Sequence, residues 1–104
     1  MLTIIAEIRT HAGTEHRQAV LDAFQKITSK VLAEDGCYGY ETLIDHVPAL
    51  EMQTQYPNLI MMLEKWQSTA HLETHMQTAH MQRHFELIKD HVMDVKVRIL
   101  EGGV

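Results

Sequence analysis

Five of the chain's eight histidines fall in one stretch, as His71, His75, His80, His84 and His91. An imidazole titrates near pH 6.5, so it can take a proton from a substrate at neutral pH and pass it on. Just upstream, Met62, Glu64 and Trp66 are alternate residues of one short run. They offer a soft wall, a carboxylate that can orient a histidine or accept a proton, and a flat surface for an aromatic ring. Acid–base chemistry on an aromatic molecule is the reaction class that suits these residue types. His71 and His75 are four apart, as are His80 and His84, so each pair could chelate a metal from one helix face. The pattern is not the zincin motif, whose glutamate directly follows the first histidine, and no cysteine pairs accompany it, so no resident metal is expected.

Elements must position these side chains. Leu59 to Leu63 is too short for a globular helix and too apolar for a half-exposed strand, so it reads as part of a strand over 58–66 covered on both faces. Ser68 and Thr78 are N-cap residue types, which predicts two helical pieces over 68–91 with a break near Gln77. At about 100° per residue, Met81, Phe85, Ile88 and Val92 share one stripe of the second piece, and His80, His84, Leu87 and His91 the stripe beside it. The histidines therefore border the apolar face, where a helix edge can line a cleft.

The remaining segments supply the frame. Leu2 to Thr10 reads as a strand with Ile4, Ala6 and Ile8 on one face. A helix with Thr14 as its N-cap follows, carrying the apolar stripe Val20, Phe24, Ile27 and Val31 and ended by Gly36 in the left-handed conformation. Cys37 to His46 is a strand with Tyr38, Tyr40, Thr42 and Ile44 alternating on one face, so both tyrosines could line the same cavity. A loop with two prolines covers 47–57, and 92–100 is the last strand. The order βαββαβ predicts an α+β chain of ferredoxin-like topology, an antiparallel sheet with both helices on one face. The third strand is apolar on both faces and the first nearly so, while two helices can hide only one face. A second copy of the chain, sheet against sheet, is the expected cover, which predicts a homodimer.

Composition excludes several classes. The chain has 104 residues, enough for one domain spanning 1–104, and carries a formal charge of −5 with nine scattered basic residues. That balance argues against a nucleic-acid partner, and neither a phosphate loop nor a dinucleotide fingerprint occurs. No run approaches the roughly 20 apolar residues of a membrane span, and the first residues lack the pattern of a secretory leader, so a cytoplasmic protein is expected. The single cysteine, Cys37, fits a reducing compartment and reads as a packed residue.

Four features in order resemble a known family: Ala6-Glu7 on the first strand, Glu34-x-Gly36-Cys37-x-x-Tyr40 at the helix-to-strand junction, Glu64-x-Trp66-x-Ser68, and His75-x-x-Thr78-x-His80. Together they are similar to the antibiotic biosynthesis monooxygenase superfamily, and within it to the bacterial quinol monooxygenases. The resemblance implies a dimeric α+β barrel of ferredoxin-like subunits. It implies oxidation of small hydroquinones by molecular oxygen with no cofactor, in a pocket between sheet and helices of each subunit. Carried over by position, Trp66, His75 and His80 are pocket residues. His75 or His80 is then the catalytic base, with the other binding the second substrate oxygen. Tyr40, Met62 and Glu64 join Trp66 as candidate substrate-binding residues. Two other readings stay open: an acid–base isomerase of a phosphorylated autoinducer-like sugar, for which Arg9, Arg83 and Arg98 are the candidate phosphate contacts, and a dimer that binds quinone without turnover.

Overall fold

The histidine-rich segment is built as two helices meeting at Thr78. The computed structural model describes all 104 residues. Its elements are β1 (Leu2–Thr10), α1 (Thr14–Leu32), β2 (Cys37–Leu43), β3 (Leu59–Trp66), α2 (Thr69–Gln77), α3 (Ala79–Ile88) and β4 (Val92–Leu100). Ser68 accepts a hydrogen bond from the His71 N–H and so caps α2. Thr78 accepts from the Met81 N–H to cap α3 and donates its own hydroxyl to the His75 carbonyl, which closes α2. Its extended backbone, φ −64° and ψ 150°, sets the break between the two helices. No helix is long and apolar enough to cross a membrane.

The strands form one antiparallel sheet in the order β2-β3-β1-β4, as the βαββαβ reading requires. Residues opposite one another share a face, so the pairs Ile4–Glu64, Ala6–Met62 and Ile8–Ile60 look toward the helices. From α1, Val20, Phe24, Ile27 and Val31 pack on that face with Tyr40, Trp66, Met81 and Ile88, and these residues make up most of the core. The other face has Ile5, Met61 and Leu63 at its centre with no layer over them.

Local departures from the expected pattern have identifiable causes. Gly13, not Thr14, is the N-cap residue of α1, and α1 ends at Leu32 with Ala33 as its C-cap. Gly36 takes the left-handed conformation (φ +81°) one turn later, where the chain enters β2. Strand β2 stops at Leu43, three residues short of the expected end. Its register shifts between Cys37 and Gly39, so Tyr38 is the extra residue of a bulge and stands 63% exposed while Tyr40 is buried. The two tyrosines therefore do not share a face. On α3 the buried residues are Met81, His84 and Ile88, so His84 belongs to the core-facing stripe while Leu87 is exposed.

Candidate functional site

Between the sheet and the α2–α3 pair lies a cavity of about 310 Å³. Ile4, Ala6, Ile8 and Met62 form its sheet wall, and Leu72, Met76, Met81 and Phe85 contribute from the helices. This volume is at the low end of the roughly 300–1,000 Å³ usual for ligand sites, which suits a molecule of one or two rings. Val95, Val97 and Ile99 of β4 complete the wall yet are about half exposed, because no helix lies over that edge strand. The opening is therefore on the β4 side.

Four polar side chains interrupt the apolar lining: Tyr40, Glu64, His75 and His84. His75 is the best held. Its Nδ1 lies 2.8 Å from Glu34 Oε2, and its ring packs on Trp66 with centroids 4.5 Å apart. The same Glu34 oxygen lies 2.8 Å from His80 Nε2. An ionised oxygen serving two imidazoles as acceptor takes an N–H from each, so the neutral form of His75 that fits this contact is the Nδ1–H tautomer, with its lone pair on Nε2. Nε2 has no protein partner, and a lone pair in a cavity wall is what a general base presents.

The helix break makes this meeting possible. On an uninterrupted helix, residues five apart would stand about 140° apart and could not share one carboxylate. With the turn at Thr78, His75 from α2 and His80 from α3 both reach Glu34, which follows α1. Gly36 allows that junction to pass under α2: a Cβ there would lie 2.4 Å from the His71 ring.

Burial shifts the other cavity groups toward their uncharged forms. Burial, and then the charges of Glu64 and Glu34, push the Tyr40 phenol far above its ordinary range, so it remains an O–H. Burial raises the Glu64 carboxyl as well, opposed by the Trp66 Nε1–H that donates to its Oε1 at 3.0 Å. Burial, and then His75 whenever its own ring is protonated, lower His84 to about 4, so the His84 ring is neutral at pH 7. Beside the site, the Cys37 thiol is raised, chiefly by burial, which removes the thiolate a nucleophile would need.

A family model described as antibiotic biosynthesis monooxygenase matches residues 1–87. The chain belongs to the antibiotic biosynthesis monooxygenase family. It is 49% identical, over the full length of both chains, to the Escherichia coli K12 protein named probable quinol monooxygenase YgiN, and equally so to the Shigella flexneri protein of that name. Among solved structures, PA3566 of Pseudomonas aeruginosa superposes with a TM-score of 0.81 at 27% identity, covering 99% of this chain and 94% of that one. A crystal structure described as an antibiotic biosynthesis monooxygenase gives 0.79 at 26% identity, covering 98% of each chain. The membership makes this chain an enzyme of the monooxygenase class and agrees with its ferredoxin-like sheet.

Within this family member, the residues singled out in the sequence occupy distinct places. Tyr40, Met62, Glu64 and His75 line the cavity. Trp66 is fully buried behind His75, so it supports the histidine's ring and does not form part of the cavity wall. His80 also lies outside the cavity wall, on the far side of Glu34. The histidine pairs that helix spacing would allow as chelates do not come together: His71 turns to Ser68 Oγ at 2.7 Å and Asp35 at 3.3 Å, and His84 is buried beside Phe24. The set that does converge, Glu34, His75 and His80, has its donor atoms within 4.8 Å of one another and is the group able to hold a metal ion. Glu34 was visible only as part of a family-like motif, with no role attached, and it takes the orienting position proposed for Glu64.

Proposed function

We propose that this monooxygenase acts on small hydroquinones, with His75 as the base and Glu34 as its positioning residue. The observation that carries the reading is the Nδ1-anchored imidazole of His75 in the wall of an otherwise apolar cavity. A hydroquinone reacts slowly with oxygen until it loses a proton, because the anion is the better electron donor. His75 Nε2 accepts that proton, and the apolar walls hold the anion away from water. The substrate supplies the electrons itself. Insertion of one oxygen atom turns hydroquinone plus O2 into a hydroxyquinone plus water, whereas simple oxidation gives the quinone plus hydrogen peroxide.

His80 on the outer side of Glu34 is proposed as the second member of the pair, steadying the carboxylate. The isomerase reading lacks a cation for a phosphate: no lysine or arginine lines the cavity, and Arg9 pairs with Asp94 elsewhere on the sheet. The assembly proposed with the activity is a homodimer closed over the Ile5, Met61 and Leu63 face.

The test is to mix anaerobically reduced menadiol with chelator-treated protein and admit air, following oxygen uptake, peroxide and the mass of the product. Oxidation faster than in buffer is expected, and His75→Ala should lower kcat/KM by about a hundredfold or more. Equal rates with and without protein would overturn the substrate class. Full rates with peroxide alone would make the enzyme an oxidase.

A further inference from the structure

The contact that anchors His75 is made entirely of metal-ligating side chains. Glu34 Oε2 lies 2.8 Å from His75 Nδ1 and 2.8 Å from His80 Nε2, and the three atoms all lie within 4.8 Å of one another. They come from the segment after α1, from α2 and from α3, so the fold and not helix spacing assembles them. Two imidazoles and a carboxylate are a ligand set that zinc enzymes use. Zinc takes such ligands at about 2.0–2.2 Å and so holds them about 3.3 Å apart around a tetrahedron. Opening each 2.8 Å contact by about half an ångström is therefore enough to exchange two shared protons for one ion, with water in the fourth position. The way in is from the outer side: the side chains of His80 and Glu34 are 19% and 13% exposed, while that of His75 is 1% exposed. An ion meets His80 and Glu34 first and is then closed in by His75.

We infer that Glu34, His75 and His80 form an inhibitory site for zinc or a similar late first-row divalent cation, with His75 the one residue shared between that site and the cavity. Inhibition follows from the two nitrogens of the imidazole. With Nδ1–H donated to Glu34, the neutral ring keeps its lone pair on Nε2. With Nδ1 bound to a metal, the neutral ring carries its proton on Nε2 instead, and no lone pair remains to accept a proton from a hydroquinone. Nothing is oxidised or reduced: Nδ1 gives up its proton, the metal takes the lone pair that is left, and a proton binds Nε2. The loss of turnover, though not the binding of metal, rests on His75 being the base of the proposed reaction. Mg2+, which prefers oxygen ligands in octahedral geometry, should not bind there.

Calorimetry on chelator-treated protein without substrate tests the site. His80→Ala and Glu34→Gln should each weaken zinc binding by about tenfold or more. His16→Ala should leave this binding unchanged, because His16 belongs to a separate surface pair with His91, their Nδ1 atoms 3.0 Å apart. Nitrogen NMR of wild-type protein should show His75 Nε2 protonated once zinc is added, a signature that needs no variant to fold. Zinc affinity unchanged in folded His80→Ala and Glu34→Gln overturns the inference, and so does a His75 spectrum that zinc leaves unaltered. Oxygen uptake with menadiol should stop as zinc fills the site and return when chelator is added. Full turnover with His75 bound to zinc would overturn the inhibition, and with it the part of His75 as base, and leave the metal site standing. Absence of turnover in metal-free protein would end the hydroquinone reading, and the calorimetry and NMR would still decide the metal site.

Discussion

Glu34 holds the site together from outside it. Glu34 also borders a polar surface pocket with Asp35, His71 and Thr74, and it sets one carboxylate oxygen 2.8 Å from Nδ1 of a histidine that is 1% exposed. Glu34→Ala should therefore lower kcat by about a hundredfold with little change in KM, since the substrate does not touch it. Nitrogen NMR of His75 should show the Nδ1–H tautomer in wild type and a mixture in the variant, which a merely structural role would not produce. Glu34→Gln, whose amide oxygen still accepts from one ring, should recover part of the rate. His84 makes a separate prediction about acid. Its folded value of about 4 lies below the ordinary 6.5, so between those limits the unfolded chain binds a proton that the folded chain refuses. The stability tied to its neutral ring is full above 6.5 and is lost as pH falls toward 4. Melting curves should show a smaller acid loss in His84→Phe than in wild type.

At the scale of elements, the α2–α3 turn and the α1–β2 junction bring the chemistry into register. Thr78 joins two helix ends through one hydroxyl, donating to the His75 carbonyl and accepting from the Met81 N–H. Thr78→Ala should cost about 1 kcal/mol, or roughly 5 °C in melting temperature for a domain of this size, and should loosen the His75–Glu34–His80 contact so that activity falls further than stability alone explains. Gly36→Ala should be worse. It would need a left-handed backbone and would drive a Cβ into the His71 ring, so α2 would have to shift away from Glu34. Thermal unfolding of the two variants side by side checks the ranking. The bulge at Tyr38 is a third device of this kind, because without it Tyr40 would not turn inward to meet Phe24 and His75.

At the scale of the molecule, the sheet has one face covered by helices and one bare. The bare face has Ile5, Met61 and Leu63 at its centre with charged residues such as Glu7, Glu41 and Arg98 around them. At about 25 cal/mol per Å², burying several hundred Å² of apolar surface there outweighs the marginal stability of so small a domain. Light scattering should accordingly return twice the 12.0 kDa chain mass. Leu63→Glu, which places a charge at the centre of that face, should give a monomer or an unfolded chain. A well-folded wild-type monomer in dilute buffer would remove the dimer from the proposal. The Val95, Val97 and Ile99 row tells a related story on the helix side, where the opening of the cavity lies over the uncovered β4.

Local signals set the elements, and the sequence carried them. Apolar alternation gave β1 and β4 their faces, a short continuous apolar run marked β3, and the Ser68 and Thr78 caps gave two helices where periodicity alone would have drawn one. Those effects act over a few residues, so they are legible without coordinates. What only the tertiary structure decided is partnership across distance. Helix spacing put His71 with His75 and His80 with His84, but a break in the helix and a carboxylate more than forty positions away in the chain joined His75 to His80 instead. Likewise Trp66 was legible as an aromatic beside a site, yet whether its face met the cavity or the back of a histidine depended on how α2 lay across β3. Hydrogen bonds and ring contacts of that kind are made by packing, and no pattern of neighbours along the chain specifies them.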